Sequence, residues 1–131
     1  VLVNGHGGNR HAVTRAAARL TDEKRNVLAW WPRWPHRADG APDDLHAGRV
    51  ETSMMLAIDP GLVRLERAEA GPHTTVAELR AKGVQAVSPN GVLGDPDGAS
   101  GSEGERFISG FVSDLVFAVE AWRPLDDPGD D

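Results

Sequence analysis

At 131 residues and 40% hydrophobic content the chain has the length of one domain and enough apolar side chains for a core, organised as one domain over 1–124 with an acidic, disordered tail over 125–131. The absence of cysteine excludes disulfides and thiolate metal sites, and no apolar stretch is long enough to span a bilayer. A net charge of −6, part of it in Asp126-Asp127-Pro128-Gly129-Asp130-Asp131, argues against nonspecific nucleic-acid binding; the expectation is a cytoplasmic protein with no membrane and no nucleic-acid partner.

Val1-Leu2-Val3 suits a buried parallel strand, and Asn4-Gly5-His6-Gly7-Gly8-Asn9 breaks it into a glycine-rich turn carrying one imidazole and two carboxamides. The first residue is Val rather than Met and the strand has no lead-in, which predicts that upstream residues are missing. Ala12, Val13, Ala16, Ala17 and Leu20 recur at helical spacing, so a helix is expected over 10–20, closed by the polar break Thr21-Asp22-Glu23. Asn26-Val27-Leu28-Ala29-Trp30-Trp31 reads as the next strand, ended by Pro32 and Pro35 in an irregular stretch to about Asp44. Strand, helix, strand favours an α/β fold with a parallel sheet, whose ligand sites gather at the carboxyl ends of the strands, the edge where His6 and Trp31 would lie.

Gly48 to Ile58 predicts a second helix, with Val50, Met54 and Met55 as core candidates and Asp59-Pro60-Gly61 as its stop. A short helix is expected over 72–81 and a short strand at Gln85-Ala86-Val87-Ser88, followed by turns at Pro89-Asn90-Gly91 and Gly94-Asp95-Pro96. Ser100 to Glu103 and Ser102 to Glu105 have capping-box spacing. Behind them Phe107, Ile108, Phe111, Val112, Leu115, Val116, Val119 and Trp122 form the apolar stripe of a last helix. No internal repeat is visible.

Two segments carry candidate chemistry: the opening turn, and Asp43-Asp44-Leu45-His46-Ala47-Gly48-Arg49-Val50-Glu51-Thr52-Ser53, which puts His46 at a loop-to-helix junction. His46 and Glu51 face one cleft only if that loop folds back, which spacing does not decide. A carboxylate and imidazoles without thiols suit Zn, Mn or Fe(II). Two plainer readings stay open: a His in a glycine-rich loop is often a surface turn residue, and Glu51 suits the positive end of a helix dipole. Ser53 and Ser88 lack triad partners.

Taken in order, Asn4-Gly5-His6-Gly7-Gly8-Asn9, His46-Ala47-Gly48-Arg49-Val50-Glu51-Thr52-Ser53-Met54-Met55-Leu56 and Gly91-Val92-Leu93-Gly94-Asp95-Pro96 resemble the creatininase family of metal-dependent amidohydrolases, over residues 1 to about 120. The stretch from Val84 to Pro96 looks most like a branch whose members are peptidases that release a C-terminal dipeptide from a modified precursor peptide. The resemblance implies a three-layer α/β/α sandwich with a mostly parallel sheet, this chain being its C-terminal part. It also implies a homo-oligomer, two divalent metals per site such as Fe(II), Zn(II) or Mn(II), and cleavage of an amide bond in a small peptide. Relatives that act on creatinine or formamides supply the alternative substrate, a small amide.

Carried over by position, the resemblance makes His6 a metal ligand and His46 the catalytic histidine beside the scissile amide. Creatininase itself has a liganding Glu where this chain has Gly8, and members with the His-Gly-Gly-Asn form share that change, which makes Glu51 the replacement metal ligand. Asn9, Trp31 and Trp34 are the substrate-binding candidates, with Trp30 assigned to the core, and Asp95-Pro96 and Glu103 read as a turn and a helix cap. The family's Glu-x-His pair and Asp ligands lie upstream of its Asn-Gly-His turn, and residues 1 to 5 contain none of them, so the chain alone is expected to be inactive or nearly so. Two readings of other classes remain. A strand, glycine-rich turn and helix can build a phosphate or nucleotide site, though neither a Gly-x-Gly-x-x-Gly nor a Gly-Lys-Ser/Thr pattern is present; the other is a noncatalytic subunit that packs against a complete partner.

Overall fold

Leu2–Val3 (β1) runs parallel to Ala29–Trp30 (β2), with Leu2 opposite Ala29 and Val3 opposite Trp30. In this computed structural model, which describes residues 1–34 and 44–124, these are the only strands among the described residues. The irregular stretch expected from Pro35 to Asp43 and the acidic tail lie outside them. The helices are Arg10–Asp22 (α1), Arg49–Ile58 (α2), Val76–Lys82 (α3), Val84–Val87 (α4) and Gly101–Ala121 (α5), with short 3-10 turns at Gly7–Asn9, Pro60–Leu62 and Leu65–Arg67. Helices joined to a small parallel sheet make this an α/β chain, as the strand-helix-strand opening predicts. The described residues divide into two compact units, 1–34 with 110–124 and 44–109.

In the first unit, the carbonyls of Leu28 and Trp30 accept from the backbone N–H groups of Leu2 and Asn4 at 2.7 and 2.9 Å. Parallel pairing is as expected; burial is not, since Val1 and Val3 are about 60% exposed. The second strand spans two residues rather than six, and Trp30 is half-buried rather than enclosed in the core. Its indole Nε1 donates to Asp114 of α5 at 3.1 Å, so the polar end of the ring is satisfied inside the unit.

α1 continues two residues past Leu20, into the expected polar break. Thr21 Oγ1 donates back to the Ala17 carbonyl, and the helix closes at Lys24, whose φ of 59° lets Arg25 N–H reach Leu20 O. Only Val13, Ala17 and Leu20 of the anticipated stripe are half-buried; Ala12 and Ala16 are exposed.

The second unit departs from expectation at Gln85 to Ser88. This run forms the last turn of helix rather than a strand, because Gly83, at φ 79°, ends α3 and Ser88 N–H closes onto Val84 O at 2.8 Å. A four-residue run can satisfy its backbone by itself in this way, and no described strand lies beside it. α3 starts at Val76 rather than Pro72 because Thr75 Oγ1 accepts from Glu78 N–H and caps it there. α2 keeps the predicted span, and Asp59 stops it while its carboxylate accepts from Gly61 N–H.

The inward residue of α2 is Ser53, fully buried, whereas Met55 is 40% exposed. Gly104 explains the difference. A Cβ at that position would lie 1.9 Å from Ser53 O, so the backbones of α2 and α5 touch and leave room only for a small side chain between them. α5 presents two faces: Phe107, Ile108, Phe111 and Leu115, like Trp122 just after its end, are half-buried, while Val112, Val116, Phe117 and Val119 are exposed. Among the described residues Leu93 is the one buried hydrophobic, against three buried polar residues, Asn4, Ser53 and Ser88. The 40% hydrophobic content therefore does not become an enclosed core, because so many apolar side chains occupy helix faces that no described element covers. No helix among the described residues is long and apolar enough to cross a membrane.

Candidate functional site

The opening turn is locked by Asn4. Its buried carboxamide donates to the His6 carbonyl at 3.0 Å and accepts from the His6 N–H at 3.3 Å, so both backbone groups of His6 are held by one side chain. Asn9 N–H returns to His6 O at 3.0 Å, closing the 3-10 turn from which α1 starts. The imidazole lies over Gly8: a Cβ there would stand 2.6 Å from His6 Nε2. Gly8, where the family's carboxylate would stand, thus makes room for the ring. Asn9 is exposed and its side chain caps nothing at the start of α1. Arg10 stacks its guanidinium 4.9 Å from the Trp31 ring centre, and Trp34, 40% exposed, meets Phe111 edge-to-face at 5.5 Å. Trp31 and Trp34 are therefore packed on named neighbours while keeping exposed surface.

In the second unit the loop does fold back. Ala47 takes φ 55°, a left-handed conformation that costs a non-glycine residue about 1 kcal/mol. This reversal brings His46 Nδ1 to 3.2 Å from Glu51 Oε2, and the same oxygen accepts from Ala47 N–H. Glu51 lies in the first turn of α2, at the positive end of the helix, as the plainer reading expects, and the same carboxylate contacts an imidazole. His46 is also bridged antiparallel to Leu93, each residue's N–H facing the other's carbonyl at 3.4 and 2.9 Å. With Nδ1 turned to the carboxylate, Nε2 is the ring nitrogen left facing away from Glu51. The imidazole is 58% exposed, so Nε2 is within reach of a ligand.

Behind this pair lies a polar network where the sequence pattern predicts capping alone. Ser100 Oγ does accept from Glu103 N–H at 3.3 Å, but the Glu103 carboxylate turns away from the cap and accepts from Arg49 Nε at 2.8 Å and Ser53 Oγ at 3.1 Å. Ser53 Oγ in turn accepts from Ser100 N–H at 3.1 Å. The Arg49 guanidinium holds the Glu103 carboxyl below its ordinary range, outweighing burial, which acts the other way, and the Ser53 hydroxyl adds to the lowering. With Ser53 and Ser88 both fully buried and hydrogen-bonded, neither is placed to act as a nucleophile. Asn4 and the Arg49–Glu103 pair are the supports that periodicity missed. Asn4 carried a signal in the Asn-Gly-His order, whereas pairing across 54 positions carries none.

An imidazole and a carboxylate are donors that Zn, Mn and Fe(II) accept. Among the described residues no group of three or more His, Cys, Asp or Glu is gathered closely enough to hold a metal ion. His46 and Glu51 therefore fit a metal as a pair of donors, not as a complete set. A cavity of about 280 Å³ in the same unit is lined by Leu65, Ala68, Ala70 and residues 95–99, and includes neither His46 nor Glu51.

Comparison with known proteins places these features in context. The creatininase family profile, described as creatinine amidohydrolase, matches residues 1–119. A mycofactocin precursor peptide peptidase of Mycobacterium tuberculosis strain H37Rv is 44% identical over 131 residues, covering 97% of this chain and 50% of the relative. The peptidase of the same description from Mycobacterium ulcerans strain Agy99 is 43% identical over 128 residues, covering 95% and 49%. The chain spans about half the length of the curated relatives it matches. A crystal structure of a Bacteroides fragilis NCTC 9343 protein assigned as a creatinine amidohydrolase superposes with a TM-score of 0.60 at 26% identity, over 94% of this chain and 54% of that one.

Proposed function

Because the chain belongs to the creatininase family, we propose that it supplies part of a hydrolase that cleaves a C–N bond in a peptide, with His46 as its proton-transferring group. The observation that carries this reading is the 3.2 Å approach of His46 Nδ1 to Glu51 Oε2, made by an αL residue at a loop-to-helix junction. Holding one ring nitrogen on a carboxylate orients the other toward a reacting group, which general acid-base catalysis requires. A divalent metal, when bound, lowers the pKa of a water and polarises an amide carbonyl. By the resemblance, His6 in the first unit and Glu51 in the second are each a proposed metal donor, with Fe(II), Zn(II) or Mn(II), two per site, as the metals.

His46 Nε2 takes a proton from the attacking water and returns it to the leaving nitrogen, while Glu51 keeps the ring from rotating. Trp31 and Trp34 offer aromatic surface to a substrate side chain, and Asn9 a carboxamide to its backbone. The description of the M. tuberculosis and M. ulcerans relatives supports a precursor peptide as substrate, and the resemblance of Val84 to Pro96 to the peptidase branch carries release of its C-terminal dipeptide as the proposed reaction. A small amide is the alternative, and homo-oligomeric assembly belongs to the same reading.

The test joins this chain to the part of the M. tuberculosis relative that it does not cover, then measures bound Fe, Zn and Mn alongside cleavage of a peptide ending in Val-Tyr. Bound metal and dipeptide release are expected, with His46→Ala lowering kcat by about 10²- to 10⁴-fold while metal is retained. Absence of metal from the joined protein refutes the hydrolase reading. Metal without peptide cleavage moves the substrate to small amides.

A further inference from the structure

We propose that Asp44 is the positioning residue of the His46–Glu51 pair, a role that rests on the reading of that pair as the working part of the site. The carboxylate of Asp44 accepts from two backbone N–H groups that flank the pair in different segments: Arg49, the first residue of α2, at Oδ2 and 2.8 Å, and Asp95 at Oδ1 and 3.0 Å. The first bond does what an N-cap side chain does. Gly48, which stands at the N-cap position of α2, has no side chain with which to do it. The second bond ties the same carboxylate to the segment following Leu93, the residue bridged to His46. His46 thus sits between a carboxylate two residues before it and a strand-like bridge beside it, and Glu51 begins its helix from the amide that the carboxylate holds.

Two glycines admit this arrangement. A Cβ at Gly48 would lie 2.0 Å from the Asp44 carboxyl, and one at Gly94 would lie 2.6 Å from it. No side chain fits at either position without moving the carboxylate, so the sequence leaves space on two sides for one buttress. The left-handed Ala47 between Asp44 and Arg49 is the conformation such a buttress sustains, because the reversed turn has to be held at both ends. Without Asp44, Ala47 relaxes to a right-handed or extended conformation, and the 3.2 Å His46–Glu51 contact opens.

The experiment reads the imidazole directly in the 131-residue chain, by ¹⁵N NMR of His46 and amide hydrogen exchange, in Asp44→Ala and Asp44→Asn. The unsubstituted chain is expected to show His46 protonated on Nδ1 and slow exchange at Arg49 and Asp95. Asp44→Ala is expected to raise exchange at both amides at least tenfold and shift His46 to the Nε2-protonated form, whereas Asp44→Asn, keeping one acceptor oxygen, leaves one of the two amides protected. Asp59→Ala, at the opposite end of α2, is the control for simple destabilisation and is expected to leave the His46 signals in place. In the joined enzyme Asp44→Asn is expected to lower kcat about 10- to 100-fold with KM within twofold, the range seen when a group orienting a site residue is removed.

A folded Asp44 variant whose His46 signals and exchange rates match the unsubstituted chain overturns the proposal. So does a chain without the Nδ1-protonated form, and so does Asp44→Asn failing to fold, which would make Asp44 a support of the whole unit. Failure of the hydrolase reading is distinguishable: the joined protein then lacks metal and activity while the tautomer shift persists.

Discussion

Replacing glycine by alanine inside a helix ordinarily stabilises it by about 0.5–1 kcal/mol, so two glycines of α5 set a contest between propensity and packing. A Cβ added at Gly110 would have nothing within 4 Å of it, and Gly110→Ala is expected to follow propensity, gaining that amount. At Gly104 the same methyl would meet Ser53 O at 1.9 Å, Ser53 C at 2.4 Å and Met54 Cα at 2.9 Å. These are backbone atoms and cannot swing aside, so α2 and α5 must separate to admit it. Overpacking of this kind costs about 1–3 kcal/mol. Separation also stretches the bonds from Arg49 and Ser53 to Glu103, each worth about 1–3 kcal/mol as a hydrogen bond to a charged group. The sum outweighs the propensity gain, and Gly104→Ala is expected to lose about 2 kcal/mol net. Urea unfolding followed by far-UV circular dichroism measures both variants against the unsubstituted chain. The reasoning fails if Gly104→Ala is as stable as the parent, or if the two substitutions shift stability in the same direction.

Glu103 should leave a mark on the acid limb of stability. Its carboxyl is held below the ordinary range by Arg49, so its contribution is fully present above the unfolded carboxylate pKa of about 4.3 and is lost as pH falls through the lower folded value. Glu103→Gln is expected to reduce stability at neutral pH and to flatten the acid limb below about pH 4, read from unfolding midpoints across pH; an unchanged acid limb contradicts the assignment. Gly8→Ala tests the opening turn: its Cβ meets only the His6 imidazole, so stability is expected to change by less than about 0.5 kcal/mol while NMR contacts between the His6 ring and residue 8 rearrange. A large loss of stability there would mean that backbone, not the ring, occupies the space.

The elements that were legible in the sequence are those whose cause is local. α2 and the body of α5 follow from periodic apolar residues and from stops such as Asp59-Pro60, and the parallel pairing of β1 with β2 follows from strand, helix, strand order. Gln85 to Ser88 misled because a short apolar run has the same letters in a strand as in one turn of helix; what separates the two is a neighbouring strand, which is a tertiary fact. Among the residues of α2 the periodicity pointed to Val50, Met54 and Met55 as core candidates and passed over Ser53, yet the close approach at Gly104, far along the chain, makes Ser53 the most enclosed residue of the helix. The His46–Glu51 contact depended on the backbone sign at Ala47, and alanine gives no hint of a left-handed turn. Asp44, Gly48 and Gly94 carried that hint together, but only once the two glycines are seen to flank one carboxylate.

Both candidate turns obey one construction rule. The backbone around His6 is fixed by Asn4, two residues before it, and the backbone around His46 by Asp44, also two residues before it. In each case a short side chain bonds main-chain groups, Asn4 donating to His6 O and accepting from His6 N–H, Asp44 accepting from the N–H groups of Arg49 and Asp95, and in each a strand-like pairing anchors the preceding or adjacent segment: Asn4 N–H to Trp30 O at 2.9 Å, and His46 with Leu93. Each turn is therefore held by bonds within its own unit, from residues 1–34 in one case and 44–109 in the other. A turn fixed in this way does not need a ligand to acquire its shape. The His46 imidazole, set against Glu51, is oriented in advance, which reduces the ordering cost at binding, and, with Leu93 the one buried hydrophobic among the described residues, the burden of specificity passes from apolar burial to a small number of polar side chains whose loss cannot be absorbed by repacking.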